Sequence, residues 1–600
     1  MKAEKTPSAA RSSLVTGAAM LAAAAVVSKL LGTMQKIPLQ NLAGDGVFGI
    51  YNAVYPLYIT ILTLATAGIP IAVSKFVAEH AAFGRMDEAR RVLRLATAVL
   101  MATGIVCFAA LYGGAGHLAG WMGVARTETA IRSVAFALLL VPPLAALRGY
   151  FQGLQDMLPT AVSQVAEQLV RVAAMIALLL YFLHVGASDA WIAAGATFGS
   201  VAGAAAGLAV MLGFWRRAAR RQRLGGPGRS STAEPAGTDA ASPAPASPAT
   251  TAPGAPAAAA EAAAAAELPP AAGLAPAAPP REPAAALIGR FLRYALPICL
   301  GSLVVPLLTL VDTFTMPRLL LARGAGEAEA IRAFGLYNHG LPLVQLVSMV
   351  ASSLSAALIP AIADAWQRRD DAALQTRAGL AIRFSWLIGL AASCGLAAAA
   401  VPLNVMFFAS AEGSGAMAVL AFTALFSTLH IVTSSVLQGL GAVLRPVRNL
   451  GIGVAIKLVG NMLLMPLWGI EGAAAAAVLA YAVASGLNLL DLRRHGGLRL
   501  ALDLHGLLRP LGAVALMSAA VLAVVYGGRG LLGLLSAGLP SRLEETGLAL
   551  TAVAAGAVSY LLALLRLGAV GERELDLLPG IGRKLKPLAA RQGGRSNGGE

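Results

Sequence analysis

Seven cations stand inside or at the margins of long apolar runs: Lys29, Lys36, Arg148, Arg171, Arg318, Arg383 and Lys457. A charge held at membrane depth costs several kcal/mol unless it pairs or faces water, so each is a functional candidate. Lys29 and Lys36, seven residues apart, share one helical face. Arg171 follows Glu167 by four residues, the spacing of an internal helical ion pair. Asp312 precedes Arg318 by six. Lys457 has Gly453 one turn before it and so no acid at that position. Arg148, Arg318, Lys36 and Arg383 lie near enough to run ends for their stems to carry the charge to the interface. That leaves Lys29 and Lys457 as the first candidates for a substrate site, with Arg171 next. A cluster of ammonium and guanidinium groups is suited to phosphate or pyrophosphate. A cation carrier would instead bury isolated carboxylates. Here Glu167 and Asp312 each have a cation nearby in sequence, which makes them charge partners or coupling groups.

The elements that must position these residues follow from the composition. Of 600 residues, 57% are hydrophobic and 13% charged, and the mean hydropathy is +0.72. A soluble chain would carry about 25% charged residues. Apolar runs near 13–35, 48–73, 91–113, 130–150, 160–183, 190–214, 291–316, 336–362, 379–402, 416–439, 447–468, 471–491, 507–527 and 545–566 are each long enough to cross a bilayer as a helix. They are rich in Ala and Leu and do not alternate, which excludes a β-barrel. The expectation is an all-α polytopic membrane protein of about fourteen transmembrane helices. The run Leu14 to Leu31 contains Lys29 and leads straight into further spans, so it reads as a span and not as a cleaved signal.

The net charge of +16 raises the question of nucleic acid. The basic pairs, such as Arg90-Arg91, Arg216-Arg217, Arg368-Arg369 and Arg493-Arg494, sit at ends of apolar runs, as orientation in a membrane requires. No nucleic-acid partner is expected. The basic loops fall on one side of the count and place both termini in the cytoplasm. Cys107, Cys299 and Cys394 are scattered among apolar residues, with no metal or disulfide spacing. The chain shows no HExxH, and "GGPGRSST" lacks the spacing and lysine of a phosphate-binding loop. Neither an enzyme nor a metal or cofactor is expected.

Two halves are visible. "FGIYN" at Phe48–Asn52 returns as "FGLYN" at Phe334–Asn338, 286 residues on. "QGL" at Gln152–Leu154 returns as Gln438–Leu440 at the same offset, as do Pro56 with Pro342 and Arg171 with Lys457. Two parallel six-helix lobes follow, 1–215 and 287–500. Between them lies a Pro/Ala-rich linker, 216–286, expected to be disordered and cytoplasmic. Residues 501–570 supply two additional transmembrane helices without a counterpart, and 571–600 a cytoplasmic tail. Facing lobes of this kind leave a cavity on their pseudo-symmetry axis, where transporters place substrate.

The stretches "SKLLGTMQKIPLQNLAGDGVFGIYNAVYPLYITILTLATAGIPIAVSKFVAEH" and "RGYFQGLQDMLPTAVSQVAEQLVRV" resemble the polysaccharide-biosynthesis/stage V sporulation protein B family, which includes MurJ-like lipid II flippases. That family belongs to the multidrug/oligosaccharidyl-lipid/polysaccharide exporter superfamily. The resemblance implies a cell-membrane flippase for undecaprenyl-pyrophosphate-linked saccharide, with basic cavity residues holding the pyrophosphate. Lipid II for peptidoglycan or a related polysaccharide or sporulation precursor would be the substrate. Membrane lipids and cell-envelope synthesis enzymes would be its partners. Energy would come from the membrane potential acting on the bound charge or from a coupled ion. A cation-coupled multidrug antiporter of the same fold and a non-transporting envelope-synthesis scaffold are the alternatives.

Overall fold

The computed structural model describes residues 7–66, 68–224, 283–498, 504–535 and 541–568. Most of the expected linker and all of the expected tail, 571–600, lie outside the described residues. The linker's edges do not: they are helical, because Arg216 to Leu224 continue the sixth span and Ala284 opens the seventh.

Among the described residues the chain forms twenty α-helices. The first lobe comprises α1 (Pro7–Met34), α2 (Lys36–Thr66), α3 (Ile69–Ala82), α4 (Met86–Gly113), α5 (Ala115–Met122), α6 (Glu128–Ala135), α7 (Ala137–Gly153), α8 (Leu158–His184) and α9 (Asp189–Leu224). The second comprises α10 (Ala284–Ala322), α11 (Glu327–Tyr337), α12 (Gly340–Gln367), α13 (Asp371–Ala398), α14 (Ala400–Phe408), α15 (Ser414–Leu420), α16 (Phe422–Gly439), α17 (Leu444–Trp468) and α18 (Ile470–Gly496). The appended pair, α19 (Leu504–Leu535) and α20 (Arg542–Arg566), packs on α13 and α14 of the second lobe. Val521, Val525, Ala549 and Ala552 close that seam against Ala399 and Leu403.

Thirteen of the resulting segments are long and apolar enough to span a membrane. The first, Met20–Ala82, runs for 63 residues. At 1.5 Å per residue that is about 95 Å, against roughly 30 Å of hydrocarbon, so it makes two crossings. Gly44 separates them, with φ 78° and ψ 176° inside α2. The positive φ is open to glycine without cost. The count of about fourteen is thereby recovered.

The two copies of the FGxYN motif meet each other. A Cβ added to Gly49 would lie 2.0 Å from the carbonyl oxygen of Ile331, and one added to Gly335 would lie 2.2 Å from that of Asp45. Ile331 is Asp45 moved by the repeat offset. The contact is therefore isologous, backbone on backbone, and lies on the pseudo-twofold axis. Glycine is required at both positions because no side chain fits. Asn52 and Asn338 each donate to the carbonyl four residues back, Phe48 at 2.8 Å and Phe334 at 2.7 Å. The QGL pair also keeps its role. Gly153 ends α7 and Gly439 ends α16, and the residue two further on takes a left-handed conformation in both lobes, Gln155 at φ 60° and Gly441 at φ 80°.

Symmetry fails where the prolines differ in setting. Pro56 is spanned by a continuous α2, whereas α11 and α12 separate at Asn338–His339, just ahead of Pro342. Gly340, with its low helix propensity, stands where the first lobe has Val54. The first lobe breaks later, at Gly68, whose left-handed backbone caps α3 ahead of Pro70.

Candidate functional site

Within the first lobe a carboxylate is shared by two guanidinium groups. α8 carries Glu167 and, one turn on, Arg171; α7 brings Arg148 alongside. Arg171 Nη2 donates to Glu167 Oε1 at 2.7 Å, and Arg148 Nη2 to Glu167 Oε2 at 2.8 Å. Arg148 Nη2 also donates to Ser163 Oγ at 2.8 Å, and that hydroxyl donates on to the Gly207 carbonyl at 3.1 Å. The triad is cramped because α9 offers no side chains opposite it. A Cβ on Gly203 would lie 2.6 Å from the Glu167 carbonyl oxygen, and one on Gly199 would lie 2.7 Å from that of Arg171. Gly195, Gly199, Gly203 and Gly207 form a small-residue stripe of the kind that lets membrane helices approach closely. Two cations and one anion leave the cluster one positive charge in excess. The sequence pair Glu167/Arg171 is thus present, with Arg148 as a third member that sequence spacing does not reveal.

In the second lobe Lys457, the repeat-mate of Arg171, is fully engaged. Its Nζ donates to Asp312 Oδ2 at 2.6 Å and to the Leu308 carbonyl at 2.9 Å, with the side chain 5% exposed. Asp312 also accepts from Tyr337 Oη at 3.0 Å and from Asn461 Nδ2 at 3.1 Å. The acid missing one turn before Lys457 comes from α10, 145 residues away. Its ammonium is spent inside its own lobe and does not face an open cavity. In this geometry Lys457 and Asp312 make a buried structural pair, a setting the sequence reading of Lys457 as a leading anion ligand did not anticipate.

The remaining predicted residues separate by position. Ser28 donates to the Gln164 carbonyl of α8, a Cβ on Gly32 would lie 3.2 Å from Gln168 Nε2, and Gln35 Nε2 donates to Tyr51 Oη at 3.2 Å. These contacts fix the inner face of α1 against α8 and α2. Lys29 follows Ser28 within α1, and Lys36 follows Gln35 at the start of α2. Lys29 is exposed and Lys36 is buried, and neither ammonium has a hydrogen bond or ion pair to another described residue. Arg318 is not part of this group. It is exposed and donates to the Gly120 carbonyl of the first lobe at 3.2 Å, bridging the lobes at their contact end.

Sequence reasoning missed the aromatic row opposite the triad. Tyr51 and Tyr55 of α2 stack with ring centroids 5.6 Å apart, Tyr58 tilts against Tyr55 at 6.2 Å, and all three lie within electrostatic reach of Arg171. Their spacing of four and three in "YNAVYPLY" was the available signal. Several buried polar atoms in this region have no partner: Gln35 Oε1, Tyr58 Oη, Gln168 Nε2 and Arg171 Nε. Buried polar groups are normally satisfied, so these unpartnered atoms near one guanidinium single out the region as a candidate site. Among the described residues no group of three His, Cys, Asp or Glu side chains is placed to hold a metal ion.

Two pseudo-symmetric lobes of six membrane spans each, each burying its own charged cluster and meeting at Gly49 and Gly335, define a polytopic membrane protein. Residues 14–230 match the family described as "Polysaccharide biosynthesis protein". The chain is 32% identical over 586 residues to the uncharacterized membrane protein YabM of Bacillus subtilis, covering 97% of each. It is 26% identical over 595 residues to the lipid II flippase MurJ of Bacillus subtilis, covering 96% of this chain and 99% of that one. A solved structure titled "Lipid II flippase MurJ, inward closed conformation" shares the fold, with a TM-score of 0.58 and 10% identity over 90% of this chain and 97% of that one. The chain belongs to the polysaccharide-biosynthesis/stage V sporulation protein B family.

Proposed function

We propose that the protein flips an undecaprenyl-pyrophosphate-linked saccharide, lipid II or a related polysaccharide precursor, from the cytoplasmic to the outer leaflet. The observation that carries this reading is the first-lobe cluster. Arg148 and Arg171 present two guanidinium groups, excess positive charge and an unpartnered Nε, and Lys29 and Lys36 of the same lobe have no ion pair among the described residues. Guanidinium forks match the oxygens of a pyrophosphate, and the lysines add charge without fixed geometry. The full-length likeness to a lipid II flippase supports the same substrate class. With the basic loops and both termini in the cytoplasm, the two lobes meet through Gly49 and Gly335 at the outer end. In that orientation substrate would reach the first-lobe cluster from the cytoplasmic side.

Alternating access follows from that hinge. Substrate enters from the cytoplasm, its pyrophosphate engages the first-lobe cations, and its lipid stays in the bilayer. Separation of the lobes at the outer contact releases the saccharide outside. The membrane potential favours outward movement of the bound negative charge. An antiporter of cations is disfavoured because Glu167 and Asp312 are already held by basic groups.

The test is complementation of a strain depleted of its lipid II flippase, followed by translocation of fluorescent lipid II in proteoliposomes. Rescue and translocation are the expected results. Rescue of a capsule or spore-polymer defect instead would reassign the saccharide, and failure of both would overturn the flippase reading.

A further inference from the structure

Glu167 has no partner but the two guanidinium groups that the substrate needs. Its oxygens take one nitrogen each from Arg148 and Arg171, at 2.8 Å and 2.7 Å, and its side chain is 14% exposed. The other groups around it do not substitute for them. α2 presents the Tyr58 phenol, α9 brings Gly203 and Gly207 against Glu167, and α1 brings Ser28 and Gly32 against α8. No described residue offers the carboxylate a second berth.

We propose that Glu167 is an internal stand-in for the substrate's anion and that pyrophosphate binding is coupled to uptake of one proton by its carboxylate. This rests on the assignment of Arg148 and Arg171 to a pyrophosphate. Two anions cannot share one pair of guanidinium groups in a poorly hydrated lobe, since like charges side by side in low dielectric repel strongly. When pyrophosphate oxygens take the Nη donors, the displaced carboxylate oxygen takes a proton from the water on the open side and becomes a neutral acid. One O–H bond forms on the carboxyl, one O–H bond of the donating hydronium breaks and leaves a water molecule, and the ligand keeps its own charge. The neutral acid then serves as a hydrogen-bond donor to the bound pyrophosphate. Affinity therefore rises as pH falls, because the bound state holds one more proton than the empty state.

The experiment uses the full chain in nanodiscs and farnesyl-pyrophosphate-N-acetylglucosamine, a diester whose charge is constant from pH 6.5 to 8.5. Proton linkage predicts that wild-type affinity falls by up to about tenfold per pH unit across this range. Glu167→Gln, which imitates the neutral acid, should bind with a flat profile and more tightly than wild type at pH 8.5. A pH-indicator dye in weak buffer should record close to one proton taken up per ligand by wild type and none by the variant. A flat wild-type profile, or equal slopes in the two proteins, would overturn the coupling and leave the pyrophosphate site standing. So would Glu167→Gln binding weakly at every pH. No binding by wild type at any pH would overturn both. Should Glu167→Gln fold poorly, the dye measurement on wild type decides alone.

Discussion

The two lobes place a basic residue at the same repeat position and use it differently. Arg171 in the first lobe shares one carboxylate with Arg148, keeps a buried Nε without a partner and faces a row of tyrosines. Lys457 in the second is closed in by Asp312 and the Leu308 carbonyl, while Tyr337 and Asn461 complete the acid. The motif tyrosine stands beside the basic residue in each case: Tyr337 reaches Asp312, and its mate Tyr51 turns to Gln35. The lesson is that a duplicated scaffold conserves where a charge sits and leaves open whether it is neutralised. The second lobe neutralises its cation with Asp312, although Asn461 Oδ1 of that cluster is buried without a partner. The other retains unspent charge and hydrogen-bonding capacity, which is what a binding site needs.

The sharpest way to break this comparison is to unpair the second lobe. Asp312→Ala leaves an ammonium buried alone, and loss of one partner of such a pair costs about 3–5 kcal/mol. A large drop in thermal unfolding temperature in detergent is expected. Asp312→Leu combined with Lys457→Met should recover most of it, since apolar replacement of a whole buried pair is often neutral. If the double variant is as unstable as the single, the pair does more than neutralise itself.

Next in size are Gly49→Ala and Gly335→Ala. Each new methyl would collide with a carbonyl of the opposing lobe, at 2.0 Å and 2.2 Å. Overpacking of this kind costs about 1–3 kcal/mol. Because the contact is isologous, both variants should lose similar thermal stability. Crosslinking of cysteines placed across this end should slow equally in both. Strongly unequal effects would show that the crossing is not on the symmetry axis.

The smallest effect separates the lobes in the opposite sense. Gln155 holds a left-handed conformation that its mate Gly441 adopts freely. Gln155→Gly should stabilise the first lobe by about 1 kcal/mol, the usual penalty of a side chain in that region. A small rise in unfolding temperature is the readout. Gly441→Ala should give a comparable fall.

What was legible in the sequence follows this division. Apolar run length carried the helical architecture, and the 286-residue offset carried the duplication, because both are one-dimensional signals. The offset also aligned Arg171 with Lys457 and the two FGxYN motifs. Their meeting through Gly49 and Gly335 was not legible, since it depends on how two lobes fold toward each other. Glu167 with Arg171 was readable as a one-turn pair. Arg148 and Asp312 as partners were not, because each arrives from another helix, 19 and 145 residues away. The Gly195–Gly207 stripe that makes room for the triad was present in the sequence as a four-residue repeat. It became interpretable only once α9 was seen against α8. The linker's ends were misjudged for a related reason: Arg- and Ala-rich residues from Arg216 are good helix formers, and α9 simply continues through them.

The most direct test of the account compares lipid II translocation in proteoliposomes by Arg171→Met and by the Asp312→Leu/Lys457→Met double variant, at matched amounts of folded protein. The account predicts a loss of about tenfold or more for Arg171→Met, the scale of a lost charged hydrogen-bond donor to substrate. It predicts a rate near wild type for the double variant. Near-wild-type flipping by Arg171→Met, or a comparable collapse in the double variant, would contradict the assignment of binding to the first lobe and structure to the second.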